Sequence, residues 1–168
     1  MRELIYLSLG SNLGNRVHHL KAAIRHIGEQ VGSIMKESAY YESESWGFSS
    51  KNRFCNCCIS VYTELDPMEL LDRILDIEMD MGRDRKSASN SGEKYADRII
   101  DIDILFYGDL SMKHPRLVLP HPSLADRRFV LVPLNEIAPH LRHPVLGTYV
   151  AQLLLACEDK GKVNMLGQ

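Results

Sequence analysis

The chain has 168 residues, of which 45% are hydrophobic and 25% charged, with a formal net charge of −2 at pH 7. This composition is typical of one globular domain of about 100–200 residues and argues against a disordered, collagen-like or coiled-coil protein. The nearly balanced charge does not favour a nucleic-acid or anionic-membrane partner.

The N-terminal sequence MRELIYL predicts a first strand. It has an acid where a signal peptide has only bases. No apolar run in the chain approaches the ~18 residues of a membrane helix. We therefore expect a cytoplasmic protein made of a single domain, residues 1–168.

Hydrophobic spacing divides the first two thirds of the chain into six elements. Apolar residues three and four apart predict helices, and apolar runs bounded by turn residues predict strands. Asp66 and Pro67 form the start signal of the second helix. In chain order the predicted elements are a strand at 5–9, a helix from 16 to about 28, extended runs at 33–43 and 54–64, a helix from 67 to 81 and a strand at 99–106.

This order predicts an α+β fold, the ferredoxin-like βαββαβ plait, with an antiparallel sheet and helices on one face. The last third adds a hairpin around residues 107–109, a short helix near 128–137 and a last helix over about 148–158. Residues 44–53 are too many for a tight hairpin and predict a binding loop. No internal repeat indicates a second domain.

Two acidic residues interrupt the apolar strand at 99–106. Because side chains alternate along a strand, Asp101 and Asp103 project to the same side, with Cα atoms about 6.5–7 Å apart. Carboxylates at that spacing can hold one Mg²⁺ or bridge two. A solvent-exposed face is the alternative, but charges within an apolar strand need a partner. The pattern therefore predicts a metal site at Asp101 and Asp103.

Arginines flank this strand. Arg83 and Arg85 follow the second helix and Arg98 precedes the aspartates, and a guanidinium can bind two phosphate oxygens at once. Together with the polar loop 86–97 they predict a mobile clamp on a polyphosphate. The alternative is a solvated basic run at a helix C-terminus. Beside a carboxylate pair suited to Mg²⁺, the phosphate interpretation is favoured.

Phe54 and Asn56 share one face of a predicted strand. A ring and an amide could hold a flat heterocycle with a polar edge, although a core Phe beside an edge Asn gives the same pattern.

Residues 10–14 lack the lysine of a phosphate loop and predict only a strand-to-helix turn. His121 lies between two prolines and could donate to a phosphate or stand in an ordinary turn.

Three of the four cysteines lie close together, at Cys55, Cys57 and Cys58. Zinc sites usually need ligand pairs at separated positions, and neighbouring thiols on a strand point to opposite faces. Buried reduced thiols are therefore favoured over a metal site.

Seven segments, in order from about residue 4 to residue 139, carry a resemblance to a known family. They are LSLGSNLGNR (7–16), FCN (54–56), GRDR (82–85), RIIDIDIL (98–105), LPHP (119–122), RRFVL (127–131) and PLNEIAP (133–139). With them the chain resembles the 6-hydroxymethyl-7,8-dihydropterin pyrophosphokinases. The resemblance implies transfer of the β,γ-diphosphate of ATP to the hydroxymethyl group of the pterin, with release of AMP, in folate biosynthesis.

The resemblance also implies roles for the matched residues. Asp101 and Asp103 would ligate two Mg²⁺ ions, and with Arg83 and Arg85 they would form the catalytic set. The implied pterin contacts are Ser43, Glu44, Trp46, Phe54, Asn56 and Phe129. The implied ATP contacts are Glu78, Arg83, Arg85, Arg98, Ile104, His121 and Arg127.

The expected partners are small molecules only: we expect a monomer, no nucleic acid, no membrane and no fused folate enzyme. Two other functions fit part of the pattern. A non-catalytic ferredoxin-like ligand-binding domain would not need Asp101 and Asp103. A Mg²⁺-dependent nucleotidyl transferase would use them but release pyrophosphate. A family member that binds ATP without turnover is a third alternative.

Overall fold

A computed structural model describes residues 2–46, 48–82 and 97–167. Arg83, Arg85 and most of the predicted clamp loop therefore lie outside the described residues. The strands are β1 (Glu3–Ser11), β2 (Gly32–Glu37), β3 (Tyr41–Ser43), β4 (Phe54–Thr63), β5 (Asp101–Tyr107), β6 (Met112–His114), β7 (Leu117–Leu119) and β8 (Val163–Met165). The α-helices are α1 (Arg16–Gln30), α2 (Pro67–Asp80), α3 (Arg128–Ile137) and α4 (Val150–Ala156).

The main sheet is antiparallel in every described pair. Its order is β5–β1–β4, and both β2 and β3 pair with different parts of β4. Helix α1 connects β1 to β2 and α2 connects β4 to β5, which is the ferredoxin-like plait. The predicted fold class is confirmed.

Helices cover both faces of this sheet. On the first face, α1 packs against β1 and β4 and α2 packs against β5, burying apolar residues such as Leu20 and Ile74. On the second face, α3 packs against β4 and α4, and residues such as Leu134 and Val150 belong to one apolar cluster with Phe106 of β5. Each interior consists mainly of apolar side chains, so their burial is the main force that holds the layers together.

A β-bulge in β5 changes which residues face each layer. Leu7 of β1 pairs with Ile104 and Tyr6 pairs with Phe106, so Leu105 is the extra residue. Ile104 packs into the first core, whereas Leu105 and Phe106 both pack into the second. A bulge shifts the alternation of side chains by one residue. Strict alternation would have sent Phe106 to the face of α1 and α2.

The additional hairpin predicted after the plait is present, but it does not lie around residues 107–109. The chain turns there, with Gly108 at a φ of 53° and its N–H donated to the Leu4 carbonyl. However, β5 pairs with β1, and the hairpin of this region is β6 with β7, where Met112 lies opposite Leu119. A tight turn does not specify that the strand after it pairs with the strand before it.

A strand after the last helix was not predicted. β8 pairs with β3 at the edge of the main sheet, with Asn164 opposite Glu42. Three residues are too few to give a periodic pattern. The predicted last helix is confirmed in a shorter form, Val150–Ala156.

The prediction of buried, reduced cysteines is confirmed. Cys55 and Cys57 pack into the first core and Cys58 into the second, and all are free. Burial raises the pKa of Cys55 to about 11 and raises the pKa of Cys57 and Cys58 as well. The described part of the chain holds no group of three or more His, Cys, Asp or Glu side chains that could bind a metal.

Within the described ranges, no helix has both the length and the apolar character needed to cross a membrane.

Helix α2 begins with a capping box that offers a test of local stability. The Asp66 carboxylate accepts the N–H of Glu69 over 2.9 Å, and the Glu69 carboxylate accepts the N–H of Asp66 over 3.0 Å. Asp66→Ala should lower the free energy of unfolding by about 1 kcal/mol, measured by urea denaturation. Asp109→Ala, in an exposed turn, is the control and should stay within about 0.5 kcal/mol. Equal losses in the two variants would contradict the capping role.

Candidate active site

Three strands bring polar side chains to one end of the second face of the sheet. Gly10 of β1 lies opposite Asp101 of β5 on one side and opposite Asn56 of β4 on the other. Two residues earlier in β1, Ser8 lies opposite Asp103. Since residues two apart share a face, the carboxylates stand on one side of β1 and Asn56 stands on the other.

A cavity, which we call the ring cavity, lies over this end of the sheet. Trp46 and Phe48 border it from the loop between β3 and β4, and Phe129 borders it from the start of α3. Phe48 meets Phe54 edge to face, with ring centroids 6.1 Å apart and planes at 89°. The lining residues are Ser8, Gly10, Ser43, Glu44, Trp46, Phe48, Phe54, Asn56, Arg98, Asp101, Asp103, Arg127 and Phe129. They include all six predicted pterin contacts.

The polar edge of the ring cavity is fixed by hydrogen bonds. Asn56 Nδ2 donates to Ser43 Oγ over 2.7 Å, and both side chains are buried. The Arg127 guanidinium carbon lies 4.6 Å from the centre of the Trp46 ring, a cation–π distance. Aromatic walls with an oriented amide at one edge suit a flat heterocycle.

Asp101 and Asp103 are partly open to solvent and lie beside two arginines. Arg98 Nη1 is 3.2 Å from Asp101 Oδ2, and Arg127 Nη1 is 3.7 Å from Asp103 Oδ2. The aspartate side chains are 26% and 30% exposed, so the prediction of two carboxylates sharing one face is confirmed, and both remain accessible. The two arginines can therefore balance the negative charge of the carboxylates, for which the sequence pattern had indicated only a metal ion.

His121 stands beside Asp103 as a neutral donor. Burial first, and then the nearby Arg127 guanidinium, lower the pKa of His121 to about 4. Its Nδ1 accepts the N–H of Ser123 over 3.1 Å, an arrangement that assigns the ring proton to Nε2. Nε2 lies 4.0 Å from Asp103 Oδ1. Near neutral pH this contact is a dipole facing a carboxylate, since an imidazole with that pKa carries no charge.

A second cavity, which we call the adjacent cavity, lies between α2 and the β6–β7 hairpin. Asp103 lines both cavities, so the two cavities are adjacent at this residue. Among the predicted ATP contacts, Ile104 and His121 line the adjacent cavity, whereas Arg98 and Arg127 line the ring cavity. The adjacent cavity is lined by Leu71, Leu75, Ile102, Asp103, Ile104, Pro115, Arg116, Leu117, Val118, His121 and Pro122.

Glu78 lies beneath the aspartates. It has no exposed surface, and its Oε2 accepts the N–H of Ile102 over 3.1 Å. It is among the lining residues of neither cavity. Its carboxylate therefore holds the backbone between Asp101 and Asp103, and ATP contact by Glu78 stays a prediction.

Sequence reasoning missed three lining residues of the ring cavity: Ser8, Gly10 and Phe48. Gly10 lies inside β1 and not in the turn after it. A β carbon at this position would lie 3.0 Å from Asn56 Oδ1 and 3.6 Å from the Phe54 ring. A glycine inside a strand is a signal of such a close approach, and this signal could have identified the site.

Comparison with known proteins decides the family. The family model described as 7,8-dihydro-6-hydroxymethylpterin-pyrophosphokinase (HPPK) matches residues 6–139. The chain belongs to this family. The resemblance drawn from the sequence motifs is thereby confirmed, and this HPPK chain is a pyrophosphokinase of folate biosynthesis. The family uses ATP as co-substrate.

Two relatives carry the name 2-amino-4-hydroxy-6-hydroxymethyldihydropteridine pyrophosphokinase. The protein of Porphyromonas gingivalis is 43% identical, over 84% of this chain and 94% of its own length. The protein of Methylorubrum extorquens is 40% identical, over 95% of this chain and 96% of its own length. Both alignments span most of each protein, so the HPPK match extends over the elements that carry the site.

Solved HPPK-DHPS chains share the fold. One structure of HPPK-DHPS in complex with substrates has a TM-score of 0.74 at 15% identity and covers 92% of this chain. Wild-type Plasmodium falciparum HPPK-DHPS has a TM-score of 0.73 at 19% identity and covers 93%. This chain spans only 43% and 45% of those proteins, and at such identities the likeness concerns the fold alone.

The close approach at Gly10 yields a prediction about the ring cavity. Gly10→Ala should weaken binding of the hydroxymethyl-dihydropterin by about tenfold or more, because the new methyl group would displace Asn56 Oδ1 from its present position. A tenfold change in Kd corresponds to about 1.4 kcal/mol. Titration calorimetry measures the Kd. Gly28→Ala is the control, since its β carbon would meet only Ile34 Cγ1, at 3.6 Å. An unchanged Kd in a folded Gly10→Ala protein would contradict the proposed crowding.

Proposed function

We propose that the HPPK chain binds the pterin in the ring cavity and ATP across the adjacent cavity, and that the β,γ-diphosphate passes from ATP to the pterin hydroxymethyl group with release of AMP. One observation carries this proposal: Asp103 borders both cavities. Substrates held in the two cavities meet at the carboxylates, and phosphoryl transfer depends above all on such alignment.

The pterin ring is held by shape and by hydrogen bonds. Phe54, Phe129 and Trp46 provide the apolar surfaces, and Asn56 presents an amide already oriented by Ser43. Backbone groups near Ser43, Glu44 and Trp46 add polar contacts. Gly10, which has no side chain, lies between Asn56 on one neighbouring strand and Asp101 on the other. The hydroxymethyl group then points at the carboxylates.

Asp101 and Asp103 have the chemistry of a Mg²⁺ site. Both offer carboxylate oxygens from one strand face, and Mg²⁺ is commonly bound by one or two carboxylates together with substrate phosphates and water. Two Mg²⁺ ions held by Asp101 and Asp103 would neutralise phosphate charge and lower the pKa of the attacking hydroxyl. With this help no side chain needs to act as a covalent nucleophile.

Basic and neutral donors complete the ATP side. Arg98 and Arg127 already lie beside the carboxylates, and their planar forks can take up phosphate oxygens when charge builds there. His121 Nε2–H is a further donor toward a phosphate. Ile104 contributes apolar surface in the adjacent cavity. Arg83 and Arg85, outside the described residues, are proposed to clamp the triphosphate.

The assembly and location of the chain stay predictions. We propose a monomer acting on small molecules in the cytoplasm, with residues 1–168 as one pyrophosphokinase domain. Size-exclusion chromatography with light scattering tests the monomer. These properties do not affect the assignment of the two cavities, because every residue in that assignment belongs to one chain.

The reaction itself is tested by ³¹P NMR of the protein with ATP, Mg²⁺ and 6-hydroxymethyl-7,8-dihydropterin. We expect AMP and a pterin-linked diphosphate. ADP would indicate transfer or hydrolysis of one phosphoryl group, and free pyrophosphate would indicate a nucleotidyl transferase. No turnover by a folded protein that still binds the pterin would favour the ligand-binding alternative. Each of these last three results contradicts the proposed transfer.

The carboxylate roles are tested by Asp101→Asn and Asp103→Asn. Each change keeps the shape of the side chain but removes a charged oxygen ligand, so kcat should fall about 10³-fold or more. The circular dichroism spectrum should not change, because both side chains are partly exposed and pack little apolar surface. Asp109→Asn, in the exposed turn after β5, is the control. Full activity of either test variant with Mg²⁺ as the sole metal would overturn the two-ion assignment.

A further inference from the structure

Three segments that are far apart in the sequence meet beside the ring cavity. They are the end of β1 with the residue that follows it, the loop between β3 and β4, and the segment that leads into β5. Asn12, Ser50 with Asn52, and Asp97 with Arg98 are the points of contact. None of these contacts belongs to the plait itself, and the proposed binding of the substrates uses only Arg98 among these residues.

Asn12 holds the backbone of Arg98 from two sides. The Asn12 N–H donates to the Arg98 carbonyl over 3.1 Å, and the Arg98 N–H donates to Asn12 Oδ1 over 2.7 Å. Asn12 is only 3% exposed. A buried residue that pairs with both the N–H and the carbonyl of another residue fixes the position of that residue more firmly than a single surface contact does.

Asp97 gathers three donors from the other two segments. Its Oδ1 accepts Asn12 Nδ2 and Ser50 Oγ, each over 2.7 Å, and its Oδ2 accepts Asn52 Nδ2 over 2.9 Å. The Ser50 bond and the two amide bonds lower the pKa of Asp97. Hydrogen bonds to a carboxylate are roughly twice as strong as neutral ones, so three of them can hold even an exposed loop.

The segments joined in this way carry two kinds of site residue, namely aromatic residues of the ring cavity and the arginine beside Asp101. The loop between β3 and β4 presents Trp46 and Phe48 to the ring cavity. Arg98 lines the same cavity and lies 3.2 Å from Asp101. Any displacement of residues 97–98 therefore moves the arginine beside the carboxylates and releases the loop that carries the aromatic wall.

We propose that Asp97, together with Asn12, is a positioning residue of this pyrophosphokinase. It links the loop between β3 and β4 to Arg98, and so fixes the pterin-binding and phosphate-binding residues relative to each other before the substrates bind. The inference rests on the proposed assignment of the two cavities. Pre-ordering of this kind lowers the entropy that binding must otherwise lose.

Asp97→Ala is the principal test because Asp97 is exposed and its loss should leave the fold intact. We expect a three- to tenfold higher Kd for the pterin, about the effect of one or two hydrogen bonds, and a fall in kcat of similar size because Arg98 loses its fixed position. Amide hydrogen exchange of residues 48–53 should become faster. Asp97→Asn keeps one acceptor oxygen and should be intermediate. Asp109→Ala is the matched control.

A double-mutant cycle separates positioning from mere stability. Ser50→Ala and Asp97→Ala should be strongly non-additive in the Kd for the pterin, since both break the same contact. A change in the free energy of unfolding with an unchanged Kd and kcat would overturn the inference. So would additive effects with unchanged exchange of the loop.

The inference and the proposed function can fail separately. If the unaltered chain forms AMP and a pterin-linked diphosphate but Asp97→Ala behaves like Asp109→Ala, the positioning role alone is wrong. If the unaltered chain forms no AMP, the proposed transfer is wrong, whereas faster hydrogen exchange of residues 48–53 in Asp97→Ala would still support the physical link.

Discussion

The register of β1 between β4 and β5 is the constraint on which the site depends. At Gly10 this strand lies opposite Asn56 on one side and opposite Asp101 on the other. Moving β1 by one residue would turn every side chain on it to the other face. The distance between Asn56 and the carboxylates is therefore fixed by backbone hydrogen bonds in the centre of the sheet, where buried Leu7 and Leu9 hold the strand.

The charges of the aspartates and arginines in the site balance one another. Asp101 and Asp103 lie beside Arg98 and Arg127, so the protein alone can keep four ionised groups together without leaving an uncompensated charge in a half-buried place. The arginines that accompany the carboxylates are also suited to phosphate oxygens. Under the proposed binding of ATP, the same guanidinium groups would exchange carboxylate oxygens for phosphate oxygens.

Local periodicity predicted the parts of this protein that depend on neighbouring residues. The plait, the common face of Asp101 and Asp103, and the helix Arg128–Ile137 all follow from patterns within a few residues. The hairpin was misplaced because a turn at 107–109 does not specify which strands pair. Strand β8 and the bulge at Leu105 were missed because they depend on pairing between distant segments. For the same reason Asp97 was placed in a polar loop, since its donors come from 45 to 85 positions away.

The bulge at Leu105 has a consequence for how this chain can change length. Before it, the aspartates and Ile102 alternate between the site and the first core, and after it Phe106 fills the second core. Removal of one residue ahead of the bulge would exchange the aspartates with the isoleucines, whereas removal of Leu105 itself would leave Phe106 opposite Tyr6 and on the second face. The part of β5 ahead of the bulge therefore tolerates substitution far better than it tolerates deletion or insertion, and changes of length are better accommodated in the connections on either side of the strand.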